Sequence, residues 1–386
     1  MKKSLLKILI FGVVTFGIVA LFALSFNGTH VHADEHQAHD AIDNKWTETD
    51  KLPTTKGNYY LDNDVILSET WNAPNEIITI CLNGHCIKLK DGDDVTGNVV
   101  KIEYGLVRFV DCSNTEHKYT IDETTGLAKV DDSLTENYQT FKGGYITGGR
   151  GVETGGGIYL ANDGGLLLQN VNVIGNSTTG NGGAIYSKSS SNISWPSHIV
   201  LQNANIIGNV AEGTAGGIYH AEKGKSLSIF GNNKIINNIS TNAPAGILEE
   251  NILSLGDGGS PSDIYIYDNK LKDGTASDIS VTKGTFSIRG QLADTSKVGC
   301  SEIKDATIYD YYKYNSKEVN DIFVSNYEIL FGKSGDHAKY LYNAQDYTVT
   351  FDEEEHTFIP DTTFKPEHTI KYGTVEGTYD LDTAPK

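Results

Sequence analysis

Gly155-Gly156-Gly157-Ile158-Tyr159 recurs as Gly182-Gly183-Ala184-Ile185-Tyr186 and again as Ala215-Gly216-Gly217-Ile218-Tyr219, with a weaker copy at Ala245-Gly246-Ile247-Leu248. The isoleucines stand 27, 33 and 29 residues apart. A second motif keeps step with the first. Leu168-Gln169-Asn170-Val171-Asn172-Val173-Ile174-Gly175-Asn176 matches Leu201-Gln202-Asn203-Ala204-Asn205-Ile206-Ile207-Gly208-Asn209. It continues as Ile235-Ile236-Asn237-Asn238, and Tyr145-Ile146-Thr147-Gly148-Gly149 is an earlier version. Two motifs that hold phase over successive copies mark a repeat architecture.

Each unit reads as short strands, such as Leu166–Leu168 and Val171–Val173, broken by Gly and Asn. No capped amphipathic helix of three turns occurs in 57–300. One such unit is too short to bury its own apolar face. Stacking solves this: equivalent strands of successive units pair in parallel, about 4.8 Å apart, around a continuous core. Gly and Asn then fall at corners, where positive φ is needed. Asn176, Asn209 and Asn238 are expected to form an amide ladder between turns. The fold class is therefore all-β, a right-handed parallel β-helix over 57–300. Residues 301–360 are read as terminal turns or a small β-cap, with Asp352–Glu355 at a hairpin tip, and 361–386 as a loose tail.

Residues 1–33 read as a secretory signal: Lys2, Lys3 and Lys7 precede the uncharged run Ile8–Phe26, and Val31-His32-Ala33 fits a cleavage site. The alternative is an uncleaved anchor, the one contact with a membrane that the sequence suggests. Residues 34–56, with His36 and His39 among acids, are expected to be a disordered linker. Cleavage would remove three Lys and no acid, taking the net charge from −19 to −22. Such a field repels phosphate backbones, so a nucleic-acid partner is excluded. The expected location is secreted, extracellular or cell-surface associated.

The upstream strands Asn58–Leu67, Ile77–Gly84 and Val99–Ile102 continue the rhythm. This stretch, above all Cys81-Leu82-Asn83-Gly84-His85, resembles the first turns of secreted Gram-positive right-handed β-helix proteins of the pectate-lyase-like superfamily. The Gly-Gly-Ala-Ile and Asn-bearing repeats are similar to those of chlamydial polymorphic outer-membrane proteins. The resemblance covers roughly 57–300. It implies the fold and two classes of activity: polysaccharide lyases and hydrolases, or adhesin-like surfaces.

For lyase or hydrolase chemistry the candidates are Arg150 and Lys142, with the paired acids Asp131 and Asp132; Lys188 and His220 would join them if neighbouring turns align. The motifs Asn-Thr-Asp, Gly-His-Gly and Arg-Ile-Lys of the family's enzymes are missing. For binding, Tyr159, Tyr186 and Tyr219 share one repeat position and would stack. The small Gly157, Ala184 and Gly217 two residues earlier favour burial beside a corner over a sugar-binding ladder. Trp195, on the Ser189–Pro196 insert of the longest unit, is the exposed aromatic. No metal site or cofactor is assigned. Ca²⁺ is the ion that Asp257–Asp263 or Asp352–Glu355 would take, without the ligand spacing of a dedicated loop. Cys81, Cys86 and Cys112 are disulfide candidates, Cys112 lying about one turn from each of the others, and buried thiols are the alternative. The preferred reading is a non-catalytic adhesin-like or glycan-binding surface for an extracellular polysaccharide or cell-surface glycan; a polysaccharide lyase or glycoside hydrolase is the alternative.

Overall fold

The computed structural model describes residues 44–310 apart from 93, 163, 189–197, 222–224, 257–259, 304 and 305. It also describes the backbone of strands 341–343, 348–352, 357–361, 369–372 and 375–380. The expected signal (1–33) and Trp195 lie outside the described residues.

The described chain is a parallel β-solenoid of about 7 turns. Three columns of apolar side chains fill it. The first sheet stacks Ile80, Phe109, Leu168, Leu201, Ile229, Leu255 and Ile288 in register. The second stacks Ile87, Ile146, Val173, Ile206, Ile235, Ile266 and Val298. The third stacks Val100, Ile158, Ile185, Ile218, Ile247 and Ile279. Every one of these side chains is buried, and all belong to one core. Isoleucine and valine suit a pleated, half-buried strand, and each turn of the solenoid serves as the crossover a parallel pair requires. In the last turn the strand Lys297–Ile303 runs past the corner. Its first residues pair with Tyr265 and Ile266, and its later ones with Ile279–Val281, so the second and third faces merge.

The asparagine ladder forms, and it is longer than the sequence motif indicated. The side-chain amide of Asn176 donates to Asn209 Oδ1 (3.1 Å), Asn209 to Asn238 (3.0 Å) and Asn238 to Asn269 (2.8 Å). Asn269 then donates to the carboxylate of Asp278 at 2.7 Å, which ends the chain of amides on an acceptor. Each Oδ1 also takes the backbone N–H of the residue before it in the ladder, so these buried groups satisfy one another.

Between the solenoid strands Leu106–Val110 and Tyr145–Thr147 the chain leaves the turn and builds an antiparallel sheet from Glu116–Ile121, Ala128–Val130 and Gln139–Lys142. Tyr119, Ala128 and Phe141 of this insert cover Ile174, Ile207 and Ile236 in a second core. This accounts for the doublets Val173-Ile174, Ile206-Ile207 and Ile235-Ile236. The first residue of each faces the solenoid core, and the second lies beneath the insert. Gly208 (φ 55°) shows how close the insert comes: a Cβ there would stand 2.5 Å from Ala128 Cβ.

Two boundaries differ from the sequence reading. The linker placed at 34–56 overlaps ordered chain: Asn44–Trp46 pairs in parallel with Tyr59–Leu61, and Leu52 is buried, so 44–56 belong to the first turn. The tail placed at 361–386 contains the strands Thr369–Tyr372 and Val375–Asp380, which pair antiparallel. Thr348–Asp352 and Thr357–Asp361 form the expected antiparallel pair, with Asp352 opposite Thr357; residues 353–355 of the acidic run lie outside the described residues.

Candidate functional site

The strands Ile158–Leu160, Ile185–Ser187 and Ile218–His220 carry the repeat tyrosines. A strand sends alternate side chains to opposite faces. With Ile158, Ile185 and Ile218 in the core, the tyrosines point outward. Lys101, Tyr159, Tyr186 and Tyr219 form one column in register, and all four are half-buried. Tyr186 and Tyr219 stack with centroids 4.9 Å apart and planes at 14°. Tyr159 meets Tyr186 edge-on at 5.7 Å and 61°. Lys101 Nζ lies 5.9 Å from the Tyr159 ring centroid and 2.6 Å from Glu103. Burial, with Glu250 adding to it, pushes the Tyr219 phenol above its ordinary value. The rings are thus not core residues. Gly157, Ala184 and Gly217 are small for a different reason: a Cβ at Gly157 would stand 2.7 Å from the Ala184 carbonyl oxygen, because stacked backbones crowd this corner.

The inward positions of the same strands hold the less expected feature. In the column Ile102, Leu160, Ser187, His220, Glu249 and Val281, three polar residues replace core aliphatics, and all six are fully buried. His220 Nδ1 lies 2.9 and 2.8 Å from the two Glu249 carboxylate oxygens. Glu249 Oε1 also accepts the backbone N–H groups of Asn251 (2.8 Å) and Ile252 (3.0 Å). At the adjoining corner His198 Nδ1 lies 2.6 Å from Ser226 Oγ. Lys225, 3% exposed, donates from Nζ to the Asn162 carbonyl at 2.9 Å. Burial, and then the charges of His220 and Lys225, pull the His198 imidazole down to about 4, so it is neutral at pH 7. A histidine oriented by a carboxylate is an acid–base arrangement, but a catalytic group must reach its substrate. Both members of this pair are sealed from solvent, and their partners are the fold itself.

Sequence reasoning named His220 but missed Glu249, His198 and Lys225. The signal was present for Glu249: it stands two residues after Ile247, as His220 stands two after Ile218, and period two makes both inward.

Of the enzyme candidates from the sequence, Arg150 lies at a corner of the solenoid, while Asp131, Asp132 and Lys142 lie in or beside the antiparallel insert. Arg150 donates to the carbonyls of Gly148 (2.7 Å), Lys90 (2.5 Å) and Gly92 (2.6 Å), closing a corner loop. Asp131 accepts the backbone N–H and hydroxyl of Ser133, bonds that hold its carboxyl below the usual carboxylate range. Asp132 accepts Lys118 N–H (2.8 Å) and meets His117 Nδ1 at 2.9 Å; His117 Nε2 in turn meets the Gly84 carbonyl oxygen at 3.0 Å. Lys142 is exposed at the end of the insert's third strand, opposite Glu116. Lys188 is exposed, whereas His220 is in the core. Of the acidic stretch Asp257–Asp263, residues 257–259 lie outside the described residues, and Asp263 accepts the Thr295 hydroxyl at 2.8 Å. Among the described residues no group of three or more His, Cys, Asp and Glu is placed to hold a metal ion.

No family model matches the chain, and no curated protein or solved structure matches it.

Proposed function

We propose that the protein is a secreted, non-catalytic β-solenoid that binds extracellular glycans along its outer face. The single observation that carries this reading is the outward column Lys101, Tyr159, Tyr186 and Tyr219, one residue per turn. Tyr186 and Tyr219 stack face to face on the outer side of the strands, and both are half-buried. A chain of sugars lying along the solenoid axis would meet one phenol about every 4.8 Å, each able to donate and accept a hydrogen bond. The net charge of −19 disfavours polyuronates, so the ligand class is a neutral polysaccharide. The export signal read in residues 1–33 supplies the address.

Affinity electrophoresis of the full chain against neutral glucans, xylans, mannans and polyuronates tests this, with reducing-end and unsaturated-uronate assays run beside it. Retention on a neutral glycan without turnover is expected. Tyr186→Phe should weaken binding by roughly 2- to 13-fold, the equivalent of about 0.5–1.5 kcal/mol for one hydroxyl. Turnover of any polysaccharide would favour the lyase or hydrolase reading, and absence of retention across the panel removes the glycan-binding reading.

A further inference from the structure

We infer that Cys81 and Cys112 are a disulfide couple, joining two successive turns where the insert leaves the solenoid, while Cys86 and Cys300 stay as thiols. Cys81 ends the strand Ile77–Cys81 and pairs with Val110, two residues before Cys112. The two sulfurs lie 3.5 Å apart, so forming a bond of about 2.05 Å needs an approach of about 1.5 Å. The corner between them is already tied. Asp111 accepts the N–H groups of Gly84 (2.8 Å), Gly144 (2.8 Å) and Ser113 (2.6 Å). Little backbone freedom remains to be lost when the cross-link closes.

The other cysteines face elsewhere. Cys86 starts the strand Cys86–Leu89, beside Tyr145 of the next turn, and Cys300 pairs with Ile279 near the far end. Both are buried, and burial pushes each thiol up to about 12; the Cys81 thiol is raised too, first by its hydrogen bond with Cys112 and then by burial, so it is the 3.5 Å sulfur separation that sets the couple apart. Cys112 is the more exposed member of the couple and is the entry point for reagent. Its thiolate attacks a low-molecular-weight disulfide such as oxidised glutathione, forming a mixed disulfide and releasing one glutathione thiolate. Cys81, as thiolate, then attacks the Cys112 sulfur and releases the second. Two thiol protons pass to water or to the departing thiolates, and two electrons reduce the reagent disulfide.

The reduced, folded full chain is incubated with excess oxidised glutathione, quenched with acid and alkylated in denaturant. The thiol count should fall from four to two. The tryptic peptide 57–88 contains both Cys81 and Cys86, so Cys86→Ser assigns the partner. That variant should still form the link, falling from three thiols to one. Cys81→Ser should instead accumulate a glutathione adduct on Cys112. The oxidised wild type should unfold at higher urea than the reduced form. Four thiols surviving in the folded wild type, or a link involving Cys86 or Cys300, would overturn the assignment. The wild-type map decides this even if a serine variant fails to fold, and it is independent of glycan binding.

Discussion

Replacing Asn209 with alanine tests whether the buried amide ladder holds successive turns together. The Asn209 side chain is fully buried and donates from Nδ2 to Val173 O (3.1 Å), Ile207 O (3.1 Å) and Asn238 Oδ1 (3.0 Å). Its Oδ1 accepts the backbone N–H (3.0 Å) and side-chain amide (3.1 Å) of Asn176. Alanine removes all of these. The Asn176 amide keeps the carbonyls of Ile146 and Ile174, and Asn238 Oδ1 keeps the Asn209 N–H. What loses a partner is the Asn176 N–H and the Val173 carbonyl. At about 1–3 kcal/mol for each of these two buried groups, the loss is about 2–6 kcal/mol. Urea unfolding followed by far-UV circular dichroism measures it. The m-value must be checked, because a solenoid can lose cooperativity between turns. Asn242→Ala, at an exposed position, should change stability by no more than about 0.5 kcal/mol. Asn209→Ala combined with Asn238→Ala should cost less than the sum of the two, by about 0.5–3 kcal/mol. A loss below about 1 kcal/mol at unchanged m, or strict additivity, would refute the view that the amides act as one network.

Other perturbations probe separate parts of the scaffold. Gly208→Ala combines a positive φ with a clash against Ala128 and should loosen the insert, seen as faster proteolysis within 116–142; Gly274→Ala, where φ is +89° but nothing lies within 4 Å, should carry only the backbone strain of about 1 kcal/mol. His198 binds its proton less tightly folded, at about 4, than at its ordinary value of 6.5. The unfolded chain therefore takes up more protons between these values, and stability should fall by about 3 kcal/mol as pH drops from 6.5 to 4, then level off for this group. His198→Gln should remove that component of a urea-midpoint titration. Arg150→Ala should lose about 1 kcal/mol in thermal or urea unfolding, through the three carbonyls it no longer bridges, and should leave glycan retention unchanged.

The repeat was legible because like positions in a stacked chain must share a column. Ile158, Ile185 and Ile218 follow from spacing alone, as do Asn176, Asn209 and Asn238, since 27- to 33-residue units too short to bury a face are stable only on top of one another. The sequence also held the inward placement of His220 and Glu249, through period two, once the isoleucines were known to face the core. The orientation of the tyrosines depends on the same fact, and the small residues before them do not decide it. Those are small because backbones crowd at the corner.

Contacts made once, between residues outside the repeat, were decided by the tertiary structure alone. The end of the amide ladder at Asn269 and Asp278 lies in a unit whose motif has faded. The insert could be seen as extra length between turns, but its docking over Ile174, Ile207 and Ile236 could not. Cys112 stands at similar spacings from Cys81 and Cys86, and only the fold brings one of those sulfurs to within 3.5 Å of it. Spacing fixes what recurs, because stacking converts it directly into position. A pairing that occurs once depends on how corners turn and where side chains point, and those are set by packing around the core.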